Sequence, residues 1–501
     1  VLMKITSPKL HTLHLTANEE ALLRCQTALE LKDRGCYEGA GEAMGPLWTH
    51  VGERPKTEGL YPSVAAEVLL CVGILTRWIG SKDQLLKESQ DMARDLISES
   101  ITFYESAGDV KKIAAARAEL AYCYWWEGAL DEARIMFNES LQKLTVEGNT
   151  RATALLGLAV VEWSASRYNE ACRILTENVS LFNKITNHAT KGAYHSQLAM
   201  VLRELAPSEN RDDYFMRAVK EYEEADHHFK LARNIVFRSD VKNNVGNLLR
   251  QLSRFKEAHK YVTEARRLAI KVRDKVRAAQ FDDTRAQVFI AEGKFKEAEA
   301  VAKSAVRVLE KSGHQCLLTD ALVTYGIALA RLGQTQRAQF TFQKAIEVAH
   351  QVGALNKAGL AALTLIEELE ELSPDALYAA YDRASDWLAK SQSQDLLLRL
   401  NSAARRVFST LRGELKAEAA TEAILNKPCS LPTEVLKFEA SLIRQALTQA
   451  NASVTRAAAL LGMSYQGLAY VIGSRHKDLL KERSPIRRRS RKLEQVEPPA
   501  T

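Results

Sequence analysis

The segment LSRFKEA at residues 252–258 recurs along the chain in related forms, as EGKFKEA ending at Ala298 and as LGQTQRA ending at Ala338. The final alanines of these three segments are 40 residues apart. Further copies end at Ala40, Ala133 and Ala171, and looser ones at Ala93 and Ala218. A fixed period of this length predicts an array of two-helix units, each of which buries its apolar face against its neighbours.

Each copy lies between two helical patterns, with a small residue 12 positions before the final alanine. A small side chain there lets the two helices of a hairpin pack closely. These residues are Ala121, Ala159, Gly246, Ala286 and Gly326. The pattern resembles the tetratricopeptide repeat (TPR) family over residues 18–425, with a period of about 40 residues in place of 34. The longer period adds about a turn and a half to each helix pair.

Arrays of this kind stack into a superhelix whose first helices line a concave groove. In the repeat register, aromatic side chains face the groove in the early units and polar ones in the central units. The resulting candidate ligand-groove residues are Tyr122, Trp125, Trp163, Asn243, Asn247, Arg250, Asp283 and Gln287. By resemblance, TPR proteins that clamp a peptide carboxylate use Lys, Asn and Arg at such positions, which implies a protein, peptide or small ligand. The alternative is a solvated polar face without a ligand.

The net charge of +7 is concentrated at the end of the 501-residue chain, where residues 434–501 hold 12 Lys/Arg and 6 Asp/Glu.

Seven scattered cysteines without a CxxC pattern favour reduced thiols. The first residues lack a signal-peptide pattern, and no segment approaches the roughly 20 apolar residues of a membrane span. We therefore expect a cytoplasmic protein without a membrane partner, with residues 1–17 as an N-terminal tail.

The stretch ASVTRAAALLGMSYQGLAYVIGSRHK at residues 452–477 has the spacing of a helix-turn-helix, with Gly462 in the turn and Ala458 at the helix crossing. It resembles the Fis-type DNA-binding domain of bacterial regulators over residues 434–483. A linker is expected at 426–433, where two prolines interrupt the helical pattern. The predicted fold is thus all-α, a TPR-like α-solenoid superhelix followed by a small helix-turn-helix domain.

The Fis-type resemblance implies that the second helix of the motif reads DNA. Where members of that family often have basic residues, this chain has Tyr465, Ala469 and Tyr470. Phosphate contacts by cations at the helix ends and in the basic tail, residues 484–501, would then supply most of the affinity. The candidate DNA-binding residues are Arg456, Ser464, Tyr465, Gln466, Gly467, Tyr470, Arg475, Lys477, Arg487, Arg488 and Arg489. The tail is expected to be disordered, and His476 is expected beside Arg475 and Lys477 at the phosphates.

An amphipathic helix over Val435–Leu447 precedes the helix-turn-helix, and the Fis resemblance implies that it forms a homodimer. The rival hypothesis is a TPR scaffold whose last domain dimerises or packs on another helix without binding DNA.

The pairs His227–His228 and Asp282–Asp283 lack further ligands or a nucleophile at suitable spacing. No phosphate-binding loop of the GxxxxGK[ST] type occurs. We therefore expect no metal, no cofactor and no catalysis.

Overall fold

The computed structural model describes residues 15–80, 86–208, 212–389, 394–425 and 431–482. Within these ranges the regular structure is helical throughout, as the sequence predicts. The chain divides into two compact units, Val1–Val407 and Phe408–Thr501. The boundary falls inside a helix, so each unit is described by itself.

The first unit is a succession of antiparallel helix hairpins. The early hairpins are α1 (Ala17–Asp33) with α2 (Tyr37–Met44), α3 (Pro62–Gly80) with α4 (Leu86–Ser106), α5 (Val110–Glu127) with α6 (Leu130–Lys143), and α7 (Asn149–Ser164) with α8 (Tyr168–Glu177), followed by the short α9 (Val179–Lys184). The later hairpins are α10 (His188–Ser208) with α11 (Asp212–Leu231), α12 (Ile235–Gln251) with α13 (Phe255–Lys271), α14 (Lys275–Ala291) with α15 (Phe295–Leu309), α16 (Gln315–Arg331) with α17 (Thr335–Gln351), and α18 (Leu355–Glu368) with α19 (Pro374–Leu388). The helix α20 (Gln394–Leu425) follows, and a 3₁₀ turn at Gly45–Leu47 extends α2.

The repeated alanines lie at the helix crossings of this unit, and every one of them is fully buried. The small residues 12 positions earlier lie opposite the next bulky side chain of the hairpin. A Cβ atom on Gly246 would lie 2.4 Å from Val262 Cγ2, and one on Gly326 would lie 2.7 Å from Phe342 Cε1. Such distances are far below van der Waals contact, so the close helix approach needs glycine there. The eight alanines are Ala40, Ala93, Ala133, Ala171, Ala218, Ala258, Ala298 and Ala338.

The seven turns that join α11 through α18 in succession resemble one another, because each contains one residue in the left-handed region. Gly293 takes this position after α14 with φ +79°. At equivalent turns Ser253 and Arg273 hold φ +57° and +59° although both carry a Cβ. Left-handed backbone costs a non-glycine residue roughly 1–2 kcal/mol. The helix packing on either side therefore holds these two turns in a strained conformation.

The helix α3 corrects the expectation that no segment approaches the length and apolarity of a membrane span. It has 19 residues, and its most apolar window has a mean hydropathy of 1.5. In the structure 67% of that window is buried inside the unit. Val68 and Val72 pack there against Ala21 and Met44 in one apolar cluster. Its composition is thus that of a core helix of the solenoid.

The first hairpin also contacts helices far along the chain. Asp33, the last residue of α1, accepts hydrogen bonds from Asn187 Nδ2 on its carboxylate (2.8 Å) and from Asn234 Nδ2 on its main-chain carbonyl (2.9 Å). The Asn234 side-chain oxygen also caps α12 by accepting the Phe237 N–H at 2.9 Å. The α1–α2 turn therefore packs on the N-terminal ends of α10 and α12.

The second unit contains α21 (Leu431–Gln449), α22 (Val454–Leu460) and α23 (Tyr465–Ser474), with a 3₁₀ turn at Lys477–Glu482. The helix α21 begins at Leu431, inside the expected linker; residues 426–430 of that linker lie outside the described residues. The apolar core joins all three helices and the 3₁₀ turn. It consists of Ile443, Ala446, Leu447, Ala450, Ala457, Ala458, Leu468, Ile472 and Leu479.

Candidate nucleic-acid interface and ligand groove

The turn between α22 and α23 has the geometry that the helix-turn-helix spacing predicts. Gly462 holds φ +65°, and its N–H donates to the Ala459 carbonyl (3.2 Å) while the Met463 N–H donates to the Ala458 carbonyl (2.8 Å). These paired bonds form a Schellman motif, which ends a helix and turns the chain sharply. Ala458 is buried at the crossing. The turn geometry and the burial of Ala458 together fix the direction in which α23 runs across the core.

One face of α23 is open to solvent and carries the predicted reading residues. Ser464, Tyr465 and Gln466 are exposed at its first turn, and Tyr470 is 73% exposed one turn later. The Ser464 hydroxyl oxygen caps α23 by accepting the Gly467 N–H at 3.0 Å. The hydroxyl proton of Ser464 therefore stays available to donate to a phosphate or a base, whereas the Gly467 N–H does not.

The cations at the helix ends differ in their surroundings. Arg456 and Lys477 are exposed, and neither forms an ion pair with another described residue. Arg475 is exposed but lies 3.5 Å from Glu439 Oε1. The expectation that His476 lies beside them at phosphates is wrong: its side chain is buried and donates from Nε2 to Glu439 Oε2 at 2.8 Å. Arg487, Arg488 and Arg489 lie outside the described residues.

The apolar stripe of α21 divides between two faces. Its later members, including Ile443 and Leu447, are buried in the core of the helix-turn-helix unit. Val435, Phe438 and Leu442 are exposed, with Phe438 at 67%. Their spacing of three and four residues places them on one side of the helix. Only this N-terminal part of the predicted dimerisation helix is available to a second chain.

The central units of the first unit bring four of the predicted polar groove residues together. Arg250 Nε donates to Asn247 Oδ1 at 3.0 Å, and Gln287 Nε2 donates to Asp283 Oδ2 at 2.9 Å. Burial and the neighbouring Arg203 lower the pKa of Arg250, while Asp283 opposes the shift. Among the described residues, no carboxylate lies within ion-pair distance of the Arg250 guanidinium. This group is thus a half-buried cation without a carboxylate at ion-pair distance among the described residues.

Asp283 and Asn243 add unpaired acceptors to this polar surface. Asp283 is buried, and burial raises the pKa of its carboxyl group to about 7. Its Oδ1 atom and the Oδ1 atom of Asn243 have no hydrogen-bond partner in the described chain. Asp282, by contrast, pairs with Arg266 at 2.8 Å on another side of α14. The adjacent carboxylates therefore do not form one acid–base pair.

Two of the three predicted aromatic groove residues lie in the wall of a cavity. The cavity has a volume of about 390 Å³, and Tyr122 and Trp125 are in its wall, but Trp163 is not. Trp163 instead packs against the neighbouring core. The wall also includes Tyr37, Trp78 and Phe237, which α1–α2 packing brings in from distant parts of the chain. No local pattern in the sequence indicates that contact.

The adjacent histidines lie beside two further histidines that the sequence spacing did not indicate. His228 Nδ1 lies 3.2 Å from His188 Nδ1, and its ring stacks on His195 with centroids 5.4 Å apart. Burial and the neighbouring imidazoles lower the pKa of His228 to about 4. Across the described residues, no group of three His, Cys, Asp or Glu side chains has the arrangement of a metal site. Hydrogen bonding and stacking account for this cluster.

These observations define an all-α protein with a TPR-like solenoid and a helix-turn-helix unit. Residues 435–471 match the family model of the bacterial regulatory proteins of the Fis family. The C-terminal unit therefore contains a Fis-type helix-turn-helix, as the sequence predicts. No curated protein matches the chain.

Several solved structures are similar to this chain at low identity and with TM-scores below 0.5. A signal-transduction ATPase with a tetratricopeptide repeat sensor from Pyrococcus horikoshii has 14% identity and a TM-score of 0.49 over 80% of this chain, and 55% of that protein is covered. A Rap protein complexed with competence and sporulation factor has 14% identity and a TM-score of 0.44, with 71% of this chain and 99% of that chain covered. A tetratricopeptide repeat protein from Parabacteroides merdae has 15% identity and a TM-score of 0.38, with 58% and 98% covered. This chain spans about half the length of the Pyrococcus protein.

Proposed function

We propose that the protein is a bacterial, cytoplasmic transcriptional regulator that binds DNA through the exposed face of α23. The observation that carries the proposal is the solvent-open first turn of that helix, with Tyr465 and Gln466 on a packed helix-turn-helix core. Gln can pair with the adenine edge in the major groove, and Ser464 and Tyr470 can donate to phosphates or bases. Arg456 and Lys477 supply unpaired cations at the helix ends.

Dimerisation through the exposed side of α21 would place two such helices on one DNA duplex. Val435, Phe438 and Leu442 offer an apolar stripe of the kind that parallel or antiparallel helices bury against each other. Recognition helices in a dimer of this type enter half-sites about 34 Å apart, one DNA turn. The proposed operator is therefore a two-fold symmetric site.

We further propose that the concave polar surface of the solenoid binds an acidic group of a protein or peptide. Its half-buried Arg250 has Asn247 as a hydrogen-bond partner, and among the described residues no carboxylate lies within ion-pair distance of its guanidinium. A ligand carboxylate would complete an ion pair that the protein leaves open, and Asn and Gln side chains beside it would orient the ligand. This proposal concerns binding, with no catalytic step assigned to Asp283.

An electrophoretic shift of the full-length protein with genomic fragments at low salt tests the DNA proposal. Tyr465→Ala is expected to change which fragments are retained, because it alters a reading position without touching the core. Lys296→Ala, an exposed change on α15, is the matched control and should leave the selection unchanged. A wild-type protein that shifts no fragment at low salt would favour the rival hypothesis of an interaction scaffold.

A further inference from the structure

The cavity, lined by residues of the first six hairpins, is a distinct compartment of the solenoid, separate from the polar stretch around Arg250. Its wall is formed where Trp78 stacks on Tyr37 and meets the edge of Phe237, with ring centroids 6.0 Å apart in both pairs. These three rings come from α2, α3 and α12. Tyr122 and Trp125 of α5 continue the same wall. The volume of about 390 Å³ lies in the range of small-molecule sites.

The charges around this cavity are compensated within the protein. Arg77 pairs with Glu119 at 2.5 Å, and Lys32 pairs with Asp33 at 3.0 Å. Asp240 pairs with Arg277. A charged ligand would therefore lose its hydration without gaining an unpaired counter-charge, which is costly in an enclosed site. The wall favours a neutral ligand with a largely apolar body.

Two buried donors in the wall lack partners. Arg77 is 3% exposed and Gln197 is 7% exposed, and both line the cavity. The Nε atom of Arg77 and the Nε2 atom of Gln197 have no hydrogen-bond acceptor in the described chain. Leaving a buried donor without an acceptor is unfavourable. Both atoms are covered in this structure, so a rotation of the Arg77 or Gln197 side chain would present its donor to a ligand that brings an acceptor oxygen. A carbonyl or carboxamide supplies that acceptor without adding a charge.

From this wall we infer that the cavity is a binding site for a neutral, mostly aromatic or aliphatic small molecule with a carbonyl-type acceptor. The inference rests on the proposed binding role of the solenoid and adds a small-molecule ligand to the acidic partner of the polar surface. The Asp33–Asn187 and Asn234–Asp33 hydrogen bonds hold the opposing walls together. A ligand that touches both walls stabilises this packing of the first hairpin on α10 and α12.

Titration of the full chain with N-phenyl-1-naphthylamine, a neutral apolar fluorophore, tests the site. Saturable binding with enhanced emission is expected, and Ala193→Phe and Ser196→Phe, which place a ring in the cavity, should abolish it. Ala330→Phe, at a half-buried alanine of α16 outside the cavity, is the control. Helicity and cooperative melting establish that each variant folds. No saturation in the wild type, or unchanged binding in a folded cavity-filling variant, would overturn the inference.

The acceptor requirement is tested by displacing the fluorophore with 1-naphthamide and with 1-methylnaphthalene. In Gln197→Leu the ratio of the two displacement midpoints should shift about fivefold against the carboxamide, since one hydrogen bond is lost. An unchanged ratio would contradict the role assigned to Gln197. DNA binding measured on the same samples reports on the proposed function separately, because the reading face lies in the other unit.

Discussion

The buried His476 side chain donates a hydrogen bond from Nε2 to Glu439 Oε2 at 2.8 Å. This bond joins the second residue after α23 to the middle of α21, and so fixes the end of the helix that carries the proposed reading face. Arg475 adds a longer contact to the other oxygen of the same carboxylate, at 3.5 Å. The orientation of α23 thus depends on Glu439, a residue that no helix-turn-helix spacing singles out.

Replacement of His476 by alanine should loosen the end of α23. It leaves the half-buried Glu439 carboxylate without its main partner, which typically costs about 1–3 kcal/mol. Hydrogen-exchange mass spectrometry should show faster exchange over 465–474, and DNA affinity should fall. Lys477→Ala, one residue away and exposed, should leave exchange unchanged. Equal exchange in both variants would show that the His476–Glu439 bond does not hold the helix.

Phe438→Glu should convert a dimer to a monomer and weaken DNA binding. The substitution places a charge in the centre of the exposed stripe of α21, where burial against a second chain would desolvate it. Light scattering after size exclusion measures the mass. Phe340→Glu is the matched control, because Phe340 on α17 is 69% exposed, about the same as Phe438. A dimer that persists in Phe438→Glu would exclude this side of α21 as the interface.

Ser253→Gly and Arg273→Gly should each stabilise the solenoid by about 1 kcal/mol, because they relieve a Cβ at positive φ. Both side chains are exposed, so little packing is lost. The midpoint of denaturant unfolding, followed by circular dichroism, is the measurement. Gly293→Ser, at an equivalent turn, should shift the midpoint in the opposite direction. Lower midpoints for the glycine variants would mean that the turns are not strained.

Asp283→Asn should stabilise the protein at pH 8 and have little effect near pH 4. Burial raises the pKa of Asp283 from its ordinary value of 3.8 to about 7 in the folded protein. The folded state therefore holds a proton that the unfolded chain has released, so this group's contribution to stability falls as pH rises from about 4 to 7. Asparagine keeps the hydrogen bond with Gln287 and cannot ionise.

Melting temperatures of the Asp283→Asn variant and the wild type between pH 4 and 8 measure this effect. The difference should grow up to about pH 7 and then level off. Asp282→Asn is the control, since it breaks the ion pair with Arg266 and should destabilise the protein at neutral pH. A constant difference across the pH range would show that Asp283 ionises normally.

The sequence predicts the repeat register and the helix-turn-helix closely, because both depend on small residues at fixed spacing. Ala258 and Ala298 are buried at their crossings, and Gly462 turns the chain as expected. These features are local: each requires only that one helix approach its neighbour in sequence. Periodic patterns report such contacts directly.

Contacts between distant segments could not be predicted in the same way. Asn234 and Asp33 are 201 residues apart, and no repeated spacing links them. The edge contact of Phe237 with Trp78 follows from that packing and completes the aromatic cavity. His476 was misassigned for a similar reason, since its burial depends on where α21 runs. Such placements depend on tertiary packing and on the small rotations between successive repeats, which add up along the superhelix.

The slope of log K against log salt for DNA binding tests the central claim most directly. If about five cations contact phosphates, full-length protein should give a slope near −4.5, and Arg456→Ala with Lys477→Ala should reduce its magnitude by about 1.8. Lys296→Ala with Arg307→Ala removes the same charge from exposed positions of α15 and should preserve the slope. An unchanged slope in the Arg456/Lys477 variant, or no DNA binding at low salt by the wild type, would contradict the account.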